Sequence, residues 1–145
     1  MFRFHKSLDI ITLFHKPSSA ASTRVLTLLK QASAEASSGA TGDQASDHAQ
    51  QNKSQRTEFQ LDVTEETPTS DQLRSILEYL GPNKAGTLVK GATNEADAKK
   101  ILSQTPDSFI RPLTVDWDNG RAVAGDNESE ILRMLRSLPK ETNTV

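Results

Sequence analysis

From Leu113 to Trp117 the chain alternates Leu, Val and Trp with Thr and Asp, a period of two that predicts a strand. Asn119-Gly120 follows, and then a second short run, Arg121 to Ala124. Asn-Gly between two such runs predicts a hairpin, because a type I′ turn needs positive φ at both central residues. A two-residue loop there sets Asp118 opposite Arg121, Trp117 opposite Ala122 and Val115 opposite Ala124. Asp118 and Arg121 would then form a modest cross-strand ion pair. Pro112 stands at the first residue of the strand, where a missing N–H is tolerated.

The remaining elements follow from the same kind of pattern. Leu8 to Phe14, LDIITLF, is β-branched and almost continuously apolar, which predicts a central strand buried on both faces. A loop, His15 to Ser19, leads into Ala20 to Ala32, where Val25, Leu26, Leu28, Leu29 and Ala32 recur at helical spacing. Ser18, Ser19 and Ser22 are each candidate N-caps. Ser33 to Gln55 has no aliphatic residue larger than Ala, so residues 33–56 are expected to form a disordered insertion. Thr57 to Val63 alternates Phe59, Leu61 and Val63 with polar residues, as in an edge strand or one with a polar face.

Thr69 with Gln72 fits a capping box, Leu73, Ile76, Leu77 and Leu80 form a stripe, and Gly81-Pro82 stops that helix. Lys84 to Gly91 reads as a loop. Asn94 with Asp97 opens a shorter helix, with Ala98, Ile101 and Leu102 inward, and Thr105-Pro106 ends it. Asp126 or Asn127 caps a last helix with a stripe of Ile131, Leu132, Leu135 and Leu138; residues 140–145 form a flexible tail. The predicted order is β–α–insertion–β–α–α–β–β–α, in one domain spanning residues 1–145.

Composition narrows the function classes. A net charge of −2 gives no electrostatic case for nucleic acid or an anionic membrane. No apolar run approaches the roughly 20 residues of a membrane helix, and Ile10 to Phe14 is too short for the core of a secretory signal. With no cysteine, the chain has no disulfide, no thiolate metal site and no thiol catalysis of its own. His5, His15 and His48 show no ligand spacing, so no metal site is expected. In the first 30 residues Asp9 is the sole acid against Arg3, Lys6, Lys16, Arg24 and Lys30. Acid-poor starts of this kind resemble mitochondrial targeting segments; a solvated, frayed terminus is the plainer alternative. Any cleaved presequence would be very short, since the fold is expected to begin near residue 8.

A strand running through a Pro/Ser loop into a helix N-terminus is an anion-binding geometry, because free helix N–H groups face the loop. Lys16 and Arg24 add positive charge there. Each of these residues also has a plainer role: Ser18 and Ser19 as caps, His15 in a solvated loop, Arg24 on a helix surface. Hydrolysis by Ser18 or Ser19 with His15 as base ranks last, for want of an orienting acid or an oxyanion hole.

The order of elements, with a proline before the third strand, resembles the thioredoxin-like pattern. Phe14-His15-Lys16-Pro17 with the following serines, Arg24 and Leu26 to Leu29 resembles the start of the arsenate reductase-like family. So do Pro68 to Leu73 through Leu80-Gly81, and Phe109-Ile110-Arg111-Pro112 with Val115-Asp116 and Gly125. Trp117, Asn119-Gly120 and Gly125 to Glu128 bring it closer to a group of small fungal proteins described as putative mitochondrial redox proteins, proposed to reduce small toxic molecules. The resemblance implies a thioredoxin-like α/β fold, a four-stranded mixed sheet flanked by helices, in a mitochondrial oxidoreductase. It also implies that Arg24 and Arg111 hold an anion and that Pro112 is the cis-proline lining the active groove. The reductase family places its nucleophilic cysteine where this chain has Ser18 and Ser19, so no catalytic residue carries over and any thiol must be external. The expected ligand site is therefore Lys16, Ser18, Ser19, Arg24, Arg111 and Pro112. Its expected ligand is a small-molecule thiol such as glutathione, or an oxyanion. The alternative is a cysteine-free, non-catalytic binding module that takes an unidentified protein partner at the same groove.

Overall fold

The computed structural model describes residues 9–41 and 58–136. In chain order the elements are β1 (Asp9–Phe14), α1 (Ala20–Thr41), β2 (Phe59–Thr64), α2 (Ser70–Leu80), α3 (Ala85–Leu88), α4 (Glu95–Gln104), β3 (Leu113–Asp116), β4 (Arg121–Ala124) and α5 (Glu128–Arg136). Short 3-10 turns at Pro82–Lys84 and Pro106–Ser108 precede α3 and β3. The strands form one mixed sheet in the order β2-β1-β3-β4. β1 is parallel to β2, with Asp9 opposite Phe59 and Phe14 opposite Thr64. It is antiparallel to β3, with Ile11 opposite Asp116 and Phe14 opposite Leu113.

The pleat of the sheet sorts side chains into two cores. Ile11, Leu13, Phe59 and Val123 pack with Val25 and Leu29 of α1 and Ile131, Met134 and Leu135 of α5. Phe14, Leu113 and Val115 face the other way, onto Leu73, Ile76 and Leu77 of α2, Leu88 of α3, Ala98 and Leu102 of α4, and Phe109. β1 is central as expected, with Ile11 to Phe14 buried. β2 is an edge strand of this sheet, with Val63 exposed.

Local signals set most of the helix starts. Thr69 and Gln72 make both bonds of the capping box, and the Asn94 side chain accepts from the Asp97 N–H. Asn127 Oδ1 accepts from the Glu130 N–H at the start of α5. Gly81 ends α2 at φ +117°, a conformation that side-chain-bearing residues rarely adopt. Leu138 and the tail lie outside the described residues.

Three expectations are corrected. Helix α1 continues to Thr41, through the first part of the segment expected to be disordered from residue 33. Ala34, Glu35 and Ala36 are good helix formers, and they extend a helix already nucleated by its packed part without large apolar residues. The rest of that segment, 42–57, lies outside the described residues. Residues 84–91, expected as a loop, contain α3, because Ala85, Leu88 and Val89 share one buried side.

The hairpin register also differs. Asp116 lies opposite Arg121 and Val115 opposite Ala122, so Trp117 to Gly120 all belong to the turn. Each turn residue before Gly120 is drawn off the ladder by a side-chain bond. The Trp117 indole donates to Thr12 Oγ1 at 2.8 Å, Asp118 accepts from the Ile10 N–H at 2.8 Å, and Asn119 donates to Asp116 at 3.0 Å. The ion pair consequently forms between Arg121 and the fully buried Asp116, at 3.2 Å. The shift is by two residues, so the pleat still points Val115 into the same core.

Candidate functional site

The carboxyl ends of the parallel strands β1 and β2 meet the amino end of β3, and main-chain bonds tie the junction together. The His15 N–H donates to the Thr64 carbonyl at 2.8 Å, and the Gly125 N–H donates to the Pro112 carbonyl at 3.0 Å. The Arg111–Pro112 peptide bond is cis, as the family resemblance implied. These contacts gather the 15–22 loop, the end of β2, Arg111-Pro112 and the turn after β4 at one end of the sheet.

The loop after β1 is built around Ser22. This residue is fully buried, and its Oγ lies 2.6 Å from His15 Nδ1, with the tautomer deciding which group donates. The same Oγ accepts from the Lys16 N–H at 2.9 Å. Ser19 is the N-cap among the three candidates: its Oγ accepts from the Ser22 N–H at 3.1 Å. The Lys16 carbonyl accepts from the Ser19 N–H, closing a turn through Pro17 and Ser18. His15 is thus a buried staple and not a solvated loop residue. It engages Ser22 and neither Ser18 nor Ser19, and the inaccessible Ser22 Oγ is a poor nucleophile. That geometry does not support hydrolysis through Ser18 or Ser19. Lys16 and Ser18 are exposed and Ser19 is half-buried, so the loop presents them toward solvent at this end of the sheet.

The two arginines have different surroundings. Arg24 is exposed on α1 and forms an ion pair with Asp126 at 2.6 Å. Arg111 is half-buried and stacks over the Phe109 ring, with its Cζ 5.0 Å from the ring centroid. Phe109 is itself fixed edge-on against Phe14, with centroids 5.5 Å apart. One Arg111 Nη donates to the Glu65 carbonyl at 3.1 Å, while its buried Nε has no acceptor among the described residues. No carboxylate of the described residues forms an ion pair with Arg111 or Lys16. Among the described residues, Lys16 and Arg111 thus have no ion-pair partner, whereas Arg24 has one.

The sequence pattern does not show the partnerships made by Ser22, Glu65, Phe109 and Asp126. Ser22 and Asp126 stand out only as candidate caps and Phe109 only within the Arg-Pro stretch, while the bond of Ser22 to His15 needs the loop to fold back. Asp9, Asp116 and Asp118 bring three carboxylates within 4.8 Å of one another at the opposite end of β1. Asn119, Arg121 and the Ile10 N–H already supply donors to this group, which locks the hairpin turn.

Comparison with known proteins gives two findings. The chain is similar to a Schizosaccharomyces pombe protein named "Putative redox protein fmp46, mitochondrial", with 43% identity over 63 residues. That match covers 43% of this chain and 52% of the relative, so the chain spans about half the length of the curated relative it matches. The similarity supports the mitochondrial location that the family resemblance implies. A family described as "Protein of unknown function (DUF1687)" matches residues 2–126, and this chain belongs to that family.

Proposed function

We propose that this chain is a thioredoxin-like domain that binds a small-molecule thiol, glutathione in the first instance, or an oxyanion, and serves mitochondrial redox chemistry with sulfur supplied by the ligand. The strand order, the mixed sheet and the position of Pro112 at the start of β3 support the fold reading. The name of the fungal relative supports the redox reading. The observation that carries the site is Arg111, held by Phe109 and Glu65 at the same end of the sheet as Lys16 and without an ion-pair partner among the described residues.

In this reading Lys16 and Arg111 attract the carboxylate or thiolate of the ligand, and a nearby positive charge favours the ionised thiol. Ser18 and Ser19 offer hydroxyls at the rim. Two glutathione thiols joining in a disulfide would release two electrons and two protons, which a bound oxyanion would accept as it loses one oxygen as water. The chain itself, without cysteine, binds and orients the reactants. Arg24, also expected at this site, is engaged by Asp126.

An amide-resolved NMR titration with reduced glutathione, and separately with phosphate, tests the reading. Saturable shifts at Lys16 to Ser22 and around Arg111, lost in Arg111→Ala, are expected. Flat spectra at millimolar ligand would refute it. One observation favours the second reading, a non-catalytic module for a protein partner. The Arg111 N–H and C=O make no main-chain bond among the described residues, and the adjacent Ile110 is 38% exposed. An extended peptide could pair there. Peptide-induced shifts at Ile110 and Arg111 without any response to glutathione would select that reading.

A further inference from the structure

A cleft of about 350 Å³ lies between α1 and the start of α5 with the turn before it. Val25 and Leu28 form an apolar floor. Arg24 stands on one wall, and Asp126 and Glu128 stand on the other. Arg24 gives one Nη to Asp126 at 2.6 Å. A guanidinium has five N–H donors, and those remaining on Arg24 have no acceptor among the described residues. The Glu128 carboxylate forms no ion pair with a described residue. The cleft therefore contains one positive and two negative side chains, with hydrogen-bonding capacity left on both walls.

That charge balance disfavours a dianion such as phosphate. It suits a ligand that carries one charge of each sign a short distance apart. We infer that the cleft binds the amino-acid head of a small zwitterion, its carboxylate on the free edge of Arg24 and its ammonium between Asp126 and Glu128. The carbon chain of such a ligand would lie over Val25 and Leu28. Two sources share this chemistry: a free amino acid, and the γ-linked glutamyl end of glutathione, whose α-carboxylate and α-ammonium are both free. The second source rests on the thiol reading above, and the first does not.

The test is an NMR titration of the full chain with L-glutamine, with S-methylglutathione and with N-acetyl-L-glutamine, which lacks the ammonium. Saturable shifts at Thr23 to Gln31 and at Asp126 to Glu128 are expected with the first two ligands and not with the third. Arg24→Gln and Glu128→Gln, both at the surface, should each weaken binding about fivefold, the scale of one exposed charge-assisted contact. Tighter binding of S-methylglutathione than of glutamine identifies the γ-linked source; equal binding identifies the free amino acid. No shifts at the cleft, equal binding of the acetylated ligand, or no effect of either variant overturns the inference. Shifts at the cleft without any at Lys16 to Ser22 under reduced glutathione would refute the thiol reading and leave this one standing. Shifts at Lys16 to Ser22 alone would do the reverse.

Discussion

Ser22→Ala tests whether the loop after β1 is held as described. The hydroxyl is fully buried and serves two groups, His15 Nδ1 at 2.6 Å and the Lys16 N–H at 2.9 Å. Deleting it leaves a buried imidazole nitrogen and a partly buried amide without their partner. Each orphaned group costs about 1–3 kcal/mol, with the wetter amide at the low end, so the loss should total about 2–4 kcal/mol. At about 2–4 °C per kcal/mol for a domain near this size, Tm should fall by roughly 4–16 °C. Urea unfolding followed by circular dichroism measures the loss directly. Ser18→Ala is the control, since Ser18 is exposed, and it should stay within about 0.5 kcal/mol. A double-mutant cycle with His15→Ala isolates the pair and should return a coupling of about 1 kcal/mol or more. A Ser22→Ala loss below about 0.5 kcal/mol, or a coupling near zero, would refute the staple.

Other substitutions probe the sheet and α4. Thr114 is fully buried and its Oγ1 has no partner among the described residues, so Thr114→Val should be neutral or stabilising by about 1 kcal/mol in denaturant titrations. Arg121→Ala takes away the cation beside the fully buried Asp116 and should cost about 2–3 kcal/mol, read as a lower urea midpoint at unchanged slope. The Asp97 carboxyl is held below its usual value of 3.8, first by the Thr93 hydroxyl and then by the Thr93 amide. A lowered folded pKa gives stability that is present above the unfolded value and lost as pH falls through the folded one. Thr93→Val should therefore be less stable than the parent at pH 7, with the gap closing in acid. A pH-independent gap would refute that cause.

Where a few neighbouring residues decide the outcome, the chain could be read directly. The Thr69–Gln72 capping box, the Asn94 cap and the buried Val25/Leu29 side of α1 follow from spacing alone. The hairpin register did not, although its turn signal was strong. Trp117 is held by Thr12, and Asp118 by the amide of Ile10, and such long-range bonds override the preference of an Asn-Gly pair. The site divides in the same way. Lys16, Ser18 and Ser19 could be placed at a helix start from the order of strand, proline and serines. That Arg24 belongs to Asp126, and Arg111 to Phe109 and Glu65, depends on chain segments brought together only by the sheet. Past Ala32 the pattern of large apolar residues ends while the helix continues to Thr41, because extending a formed helix does not require further apolar contacts.

The central place of β1 has a consequence for how the molecule is made. Its hydrogen-bonded neighbours lie far downstream, with Asp9 opposite Phe59 and Ile11 opposite Asp116. Contact order is accordingly high on this strand, and loop closure must precede its gains. The full β1–β3 ladder cannot form until Asp116 has left the ribosome, so in a nascent chain one edge of this apolar, β-branched strand stays unpaired until then. Once the sheet has closed, the same strand should hold the slowest-exchanging amides of the molecule.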